Sequence, residues 1–133
     1  MAEVLLIDDD INIHQIVSLF LEEVGYPVHS ATSGKAGLIL AEQTFPDLIL
    51  LDIAMPGMDG ISVLRALRAN PTTADIPVLI FTVHDKEDVA TEIAKYSRVG
   101  YLMKPVDMYT LQTNVSTVLS STPRQPAASP AYS

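Results

Sequence analysis

The sequence predicts an α/β fold in which five parallel strands form one sheet with helices on both of its faces. Two observations lead to this prediction. Short, continuously apolar segments alternate along the chain with longer segments in which apolar residues recur at helical spacing. The short segments also lack the alternation of apolar and polar residues that is typical of a half-exposed strand, as expected of strands covered on both sides.

Each element can be assigned in order along the chain. Strands are predicted at 3–7, 26–31, 47–52, 77–82 and 100–104, and helices at 11–24, 33–43, 61–69, 85–96 and 107–120. Gly25 and the pair Asn70–Pro71 are stop signals for the helices that precede them. Ser33 is suited to cap the second helix, because its hydroxyl can accept a hydrogen bond from a free amide of the first turn.

The order of the strands follows from their composition. The runs EVLLI, DLILLD and PVLIFT are the most apolar and suit the centre of the sheet. Pro27, in the second strand, suits an edge, where a missing amide donor does least harm. With right-handed crossovers, the flavodoxin-like (βα)5 order 2-1-3-4-5 satisfies both conditions.

Length and composition restrict the classes of protein that fit. The chain has 133 residues, 48% of them hydrophobic, which is enough for one domain, predicted at 1–120. The Pro-, Ser- and Ala-rich segment 121–133 is predicted to be a disordered tail or the start of a linker. The absence of cysteine excludes disulfides and thiolate metal sites and suits the cytoplasm. The net charge of −8 argues against direct nucleic-acid binding by this segment, and no apolar run is of membrane-spanning length.

Polar side chains stand where four of the predicted strands end. In chain order they are Asp8 and Asp9, Asp52, Thr82 and Lys104. Because the carboxyl ends of parallel strands meet at one edge of a sheet, we expect these side chains to share a pocket. The three histidines, His14, His29 and His84, lie elsewhere in the pattern and are expected to be solvated or partly packed.

The chemistry of this pocket follows from its charges. Crowded carboxylates repel one another, so the pocket needs positive charge beyond that of Lys104. Mg²⁺ prefers oxygen ligands and often binds a phosphate oxygen as well. We therefore expect a Mg²⁺ site that handles a phosphoryl group, with Asp52 as the nucleophile and Thr82 and Lys104 stabilising the phosphoryl oxygens. The backbone carbonyl of Ala54, in the loop after Asp52, is a further expected metal ligand.

Four motifs in order along the chain resemble the receiver domain of two-component response regulators. They are LLIDDD, LDIAMPGMDG, LIFT and YLMKP, within a match that covers residues 3–120. The resemblance implies a phosphorylation-controlled signalling switch rather than an enzyme. Its expected partners are a histidine kinase or phosphotransfer protein, which supplies the phosphoryl group, and an unknown downstream effector.

The resemblance also implies how the acidic residues divide their roles. Asp52 would be the phosphoacceptor, taking the phosphoryl group from a phosphohistidine. Asp8 and Asp9 would be the acidic pair, with Asp9 binding Mg²⁺ directly and Asp8 acting mainly through water. Asp52 itself and the carbonyl of Ala54 would complete the protein's share of the metal ligands.

The remaining matched residues would act in switching. Thr82 would turn toward the phosphoryl group, Lys104 would pair with it, and Tyr101 would move inward on activation, reshaping the surface of the fourth helix, fifth strand and fifth helix. Pro105 would be a cis-proline. The chain departs from the family where Ser97 and Arg98 replace the usual Gly-Ala, so the turn after the fourth helix is expected to be built differently.

Two other functions are weighed against this one. A phosphatase of the haloacid dehalogenase type also uses an aspartate nucleophile and Mg²⁺, but it normally carries a second aspartate where this chain has Ala54. A flavodoxin-like flavin binder would need a phosphate-binding loop after the first strand, where this chain has acids. Both alternatives are therefore less well supported than the signalling switch.

Overall fold

A computed structural model describes residues 2–121, apart from the side chains of Asp88 and Ser121. Residues 122–133, which hold nearly all of the predicted tail, lie outside the described residues. Five strands alternate with five helices: β1 (Val4–Ile7), α1 (Ile11–Glu23), β2 (Val28–Ala31), α2 (Gly34–Thr44), β3 (Leu48–Leu51), α3 (Gly60–Ala69), β4 (Val78–Thr82), α4 (Lys86–Ile93), β5 (Val99–Met103) and α5 (Met108–Ser121).

The strands form one parallel sheet in the order β2-β1-β3-β4-β5, which confirms the predicted topology. β1, β3 and β4 occupy the centre and are buried along their whole length. The register pairs Ile7 with Leu51 and Thr82 with Met103. The residues that directly follow these pairs therefore meet at the carboxyl edge of the sheet.

The core has two halves, one on each face of the sheet. Alternate residues of the central strands point to opposite faces, as the pleat requires. Leu5, Ile7 and their neighbours pack with α2, α3 and α4, whereas Val4, Leu6 and their neighbours pack with α1 and α5. No helix within residues 2–121 combines the length and the apolar character needed to cross a lipid bilayer.

The helix bounds differ from the predicted ones mainly at α4. This helix ends at Ile93, three residues earlier than predicted, and a turn follows it. In that turn Arg98 adopts a left-handed conformation with φ of 58°. Ile16 of α1 and Val24, which directly follows this helix, are both 44% exposed, because the buried face of α1 follows His14, Val17 and Leu21.

Gly60 is required by the close approach of α3 to the end of β3. Its amide donates to the carbonyl of Ile53 at 2.9 Å. A Cβ at this position would overlap the backbone carbonyl oxygen of Asp52, which cannot move without shifting the strand end. The first residue of α3 therefore holds the backbone of Asp52 in place.

We expect Gly60→Ala to lower the free energy of unfolding by about 3 kcal/mol, because the added methyl group meets rigid backbone. Urea denaturation followed by circular dichroism would measure this. Gly25→Ala is the matched control, since Gly25 has φ of 91° but open space around its Cβ position, so only the left-handed backbone penalty of about 1 kcal/mol applies. Equal losses in the two variants would contradict the steric explanation.

Candidate functional site

The predicted site residues meet at the carboxyl edge of the sheet because backbone hydrogen bonds continue past the strands. The amide of Asp8 donates to Ala31 of β2 at 3.1 Å, and the amide of Asp52 donates to Ile7 of β1 at 3.0 Å. On the other side of β3, the amide of Lys104 donates to the carbonyl of Thr82 at 2.7 Å. These backbone hydrogen bonds therefore fix the strand ends relative to one another independently of side-chain contacts.

Three carboxylates form a compact acidic cluster, which we define as Asp8, Asp9 and Asp52. One oxygen from each lies within 4.8 Å of the others. Asp8 is fully buried and Asp52 is 6% exposed, whereas Asp9 is exposed. Burial strengthens the repulsion between such charges, so the cluster is stable only with cations close to it.

Lys104 provides one cation directly between two of these acids. Its Nζ lies 2.6 Å from Oδ2 of Asp8 and 3.6 Å from Oδ2 of Asp52, and the side chain is 13% exposed. The same Nζ lies 5.2 Å from the centre of the Phe81 ring, where a cation is favoured. The peptide bond from Lys104 to Pro105 is cis.

The donor set of the acidic cluster fits a hard divalent cation. One ammonium against three carboxylates leaves excess negative charge, and all three side chains offer only oxygen atoms, the ligands that Mg²⁺ prefers. Asp8, Asp9 and Asp52 would hold the ion.

The loop between β3 and α3 is shaped around Asp52. Oδ1 of Asp52 accepts a long hydrogen bond of 3.3 Å from the amide of Ala54. Met55 is 7% exposed and anchors the loop in the core, while Gly57 takes a positive φ of 77°. Ala54 is therefore held beside the acidic cluster, and its carbonyl stays a predicted metal ligand.

Thr82, His84 and Tyr101 form a connected chain beside the cluster. Thr82 is fully buried, and its hydroxyl accepts a hydrogen bond from the amide of His84 at 3.4 Å. The hydroxyl of Tyr101, a half-buried residue of β5, donates to the carbonyl of His84. A movement of Thr82 can therefore be transmitted to Tyr101 through His84, which is hydrogen-bonded to both residues.

His14 is a site residue that the sequence analysis missed. It is 6% exposed, so the expectation that it is solvated or partly packed is wrong. Its Nε2 lies 2.6 Å from the carbonyl of Asp8, and because a carbonyl only accepts, Nε2 carries the proton. Nδ1 is buried, and no group of the described residues hydrogen-bonds to it. The spacing of His14 with Val17 and Leu21, at i, i+3 and i+7, was the available signal that it faces inward.

We expect Lys104→Met to destabilise the metal-free protein by about 3 kcal/mol, because it leaves buried carboxylates without their cation. Mg²⁺ at millimolar concentration should then stabilise the variant more than it stabilises the wild type. Urea denaturation in EDTA and in Mg²⁺ would measure both effects. Lys86→Met, at an exposed lysine that begins α4, is the control for lost charge. Unchanged stability of Lys104→Met in EDTA would contradict the assigned pairing.

We expect His14→Leu to lower the free energy of unfolding by about 2 kcal/mol, since it leaves the Asp8 carbonyl buried without a donor. Mg²⁺ binding, measured by calorimetry, should weaken several-fold because the backbone of Asp8 loses its support. His14→Gln, which keeps a donor on a side chain of similar reach, should recover part of both losses. Wild-type Mg²⁺ affinity in His14→Leu would show that the histidine only fills space.

The sequence is similar to known proteins along most of its length. A family model described as the response regulator receiver domain matches residues 4–116. The DNA-binding dual master transcriptional regulator RpaA of Synechocystis sp. is 40% identical over 128 residues, which are 96% of this chain and 53% of that protein. Protein PilH of Pseudomonas aeruginosa is 37% identical over 120 residues, which are 90% of this chain and 99% of that protein.

Solved structures show the same relationship in three dimensions. The chemotaxis protein CheY4 of Vibrio cholerae has a TM-score of 0.83 with 33% sequence identity, covering 89% of this chain and 98% of that one. The chain spans about half the length of RpaA and under a third of the transcriptional regulatory protein ZraR of Escherichia coli, in which it covers 29%. On the family match and these relatives, the chain belongs to the receiver domains of two-component response regulators.

Proposed function

We propose that this receiver domain accepts a phosphoryl group on Asp52 from the phosphohistidine of a histidine kinase or phosphotransfer protein. Asp8, Asp9, Asp52 and the carbonyl of Ala54 would hold Mg²⁺ during the transfer. The observation that carries the assignment is the difference between the three acids of the cluster, because only Asp52 is both enclosed and weakly engaged.

The hydrogen bonds of the three acids support Asp52 as the phosphoacceptor. Both oxygens of Asp8 are strongly occupied, Oδ1 by the amide of Asp10 at 2.9 Å and Oδ2 by Lys104 at 2.6 Å. Asp9 is exposed to solvent. Asp52 is buried, yet within the part of the chain that the structure describes its oxygens have only the 3.3 Å bond from Ala54 and the 3.6 Å approach of Lys104. Its carboxylate is therefore the one best placed to attack phosphorus.

The transfer needs no other nucleophile. An oxygen of Asp52 forms a bond to phosphorus, the phosphorus–nitrogen bond of the phosphohistidine breaks, and its electron pair stays on the departing imidazole. Asp8, Asp9 and Asp52 would hold Mg²⁺, which would supply positive charge to offset that of the phosphoryl oxygens. Lys104 can keep its contact with Asp8 and still reach a phosphoryl oxygen on Asp52, and the Thr82 hydroxyl can donate to another.

Phosphorylation would be transmitted through Thr82. The new group adds about −1.5 to −2 charges, which favours movement of the Thr82 hydroxyl away from the His84 amide. Because Tyr101 donates to the carbonyl of His84, that movement frees the ring to turn inward. The surface of α4, β5 and α5 would change with it and present a different face to the effector.

The apolar side chains on α1 are suited to receive the phosphodonor. Ile11, Ile16 and Leu19 are 63%, 44% and 68% exposed on the helix that begins beside Asp10. Exposed apolar residues next to a reactive site are typical of a surface that docks another protein. A helix of the donor lying on α1 would bring its phosphohistidine toward Asp52.

The cytoplasm is the proposed location, because histidine kinases and their receivers share that compartment. The role is that of a phosphoacceptor switch that assists its own phosphorylation and dephosphorylation, rather than an enzyme acting on separate substrates. The effector that reads the switch is not identified by these residues. The strongly acidic balance of the chain, −8 in total, makes direct nucleic-acid binding by this segment unfavourable.

We expect incubation with acetyl phosphate and Mg²⁺ to add one labile phosphoryl group, detected as an increase in intact mass. Asp52→Asn should abolish the adduct because the amide is not a nucleophile, and EDTA should suppress it in the wild type. Asp59→Asn is the matched control, since Asp59 caps α3 in the same loop and lies outside the acidic cluster. An adduct of wild-type yield in Asp52→Asn would overturn the assignment.

A further inference from the structure

The basic side chains of this acidic protein are concentrated at one corner. Seven of the eight lysines and arginines lie within residues 2–121, and four of these are Arg65, Arg68, Lys95 and Arg98. Arg65 and Arg68 stand on the second half of α3, and Lys95 and Arg98 in the turn that follows α4. The corner is cationic, whereas the chain as a whole carries −8.

These side chains border a concave surface, here called the α3–α4 groove. Its volume is about 520 Å³, and it is lined by Arg65, Arg68, Ala69, Lys95, Tyr96 and Ser97. The lining combines three cations with one aromatic side chain.

Arg68 is the least satisfied cation of the groove. Its Nη2 donates to the carbonyls of Ser97 and Arg98, each at 3.2 Å. Its Nε and Nη1 are buried and have no hydrogen-bond partner within residues 2–121. Burial, and then the charge of Arg98, lower the pKa of Arg68 below its usual value. No carboxylate bonds to this guanidinium among the described residues, so its positive charge is not balanced by a direct ion pair.

The acids near the groove do not balance its cations. Glu92 accepts from Nη2 of Arg65 and from Nζ of Lys95, both at 3.1 Å, and these contacts lower the pKa of Glu92. The charge of Asp75 opposes the lowering of the pKa of Arg68. The backbone carbonyl of Asp75 accepts a hydrogen bond from Arg98 at 3.0 Å. Asp59 also acts electrostatically on Arg65. Four cations therefore face three acids, which leaves a net positive charge for an anionic ligand.

We propose that the α3–α4 groove binds a small phosphate-bearing ligand of the nucleotide class, with its phosphates against Arg65, Arg68 and Lys95 and its base against Tyr96. Guanidinium groups match phosphate oxygens in geometry as well as charge. The aromatic side chain in the same lining suits a flat heterocycle. Because the rest of the surface is acidic, a polyanion is repelled elsewhere and steered to this corner.

This site is separate from the acidic cluster and goes beyond the proposed phosphoacceptor function. Gly60 begins α3 beside Asp52, and Arg68 lies eight residues further along the helix, a distance of roughly 12 Å. The groove is thus at the opposite end of α3 from the acidic cluster. A ligand there would bridge α3 and the turn before β5.

The first experiment is an NMR titration of the ¹⁵N-labelled chain in EDTA with ADP, pyrophosphate and adenosine as probes. Without a divalent ion the acidic cluster repels phosphate, so binding there does not interfere. We expect saturable shifts with ADP at the amides of residues 95–98 and at the Nε–H of Arg68, weaker saturable shifts with pyrophosphate, and none with adenosine. Equal affinities for pyrophosphate and ADP would overturn the nucleotide class.

Variants locate the site. Arg65 and Lys95 have side chains that are 55% exposed, so Arg65→Gln combined with Lys95→Gln should fold and should weaken ADP binding about tenfold or more. Arg68→Lys keeps the charge but loses the planar fork, and it should also weaken binding. Lys86→Gln, at the opposite end of α4, should change affinity less than about twofold because distant exposed charges are screened.

Three further outcomes would overturn the proposal. The first is that ADP leaves the groove amides unshifted up to millimolar concentration. The second is that Lys86→Gln weakens binding as much as the groove variants, which would indicate attraction by overall charge alone. The third is that a hexaglutamate peptide binds the groove more tightly than ADP, which would assign the groove to an acidic protein segment. Asp52→Asn should bind ADP like the wild type, so this result is independent of whether Asp52 is the phosphoacceptor.

Discussion

Two buried carboxylates side by side are the constraint on which the rest of this structure depends. Asp8 and Asp52 follow paired strands, so the sheet register brings them together whatever their mutual repulsion. Lys104 offsets part of that repulsion, with its ammonium 2.6 Å from Asp8 and 3.6 Å from Asp52. Its position requires β5 to run beside β4, where the amide of Lys104 donates to the carbonyl of Thr82. The strand order therefore also determines the charge balance of the site, because it brings Lys104 to the two acids.

The two buried acids differ in their contacts, because the carboxylate of Asp8 is fully hydrogen-bonded whereas that of Asp52 is only weakly engaged. Asp8 is held from all sides, by the Asp10 amide, by Lys104 and, through its carbonyl, by His14. Asp52 is held through its backbone, by the Ile7 carbonyl and the close contact with Gly60, while its side chain stays loosely engaged. A rigid backbone that carries a weakly engaged carboxylate is the arrangement that the proposed phosphoryl transfer to Asp52 would require. The same helix that begins at Gly60 ends in the basic α3–α4 groove, so the two ends of α3 carry opposite charge.

Much of this could be predicted from the pattern of residues, and the failures have physical causes. The strand order and the meeting of Asp8, Asp9, Asp52, Thr82 and Lys104 follow from continuous apolar runs and from the geometry of parallel sheets. His14 was misjudged because histidine is intermediate between buried and exposed residue types. Only its position on the buried face of α1 indicates that it is buried. The early end of α4 was missed because the residues after Ile93 still form helical patterns, whereas the turn is set by Arg68 bonding the carbonyls of Ser97 and Arg98.

The sequence by itself determined the alternation of strands and helices, the sheet order and the set of side chains at its carboxyl edge, because these depend on local periodicity and on general rules of chain connection. Only the tertiary structure decided which buried acid is weakly engaged and which is fully hydrogen-bonded. It also decided which histidine is buried and where the arginines come close together. Those properties depend on distances between residues far apart in the chain: Lys104 and Asp8 are separated by 96 positions, and Arg68 and Arg98 by 30. A local sequence pattern does not specify which distant residues come into contact, because the packing of the whole domain determines those contacts.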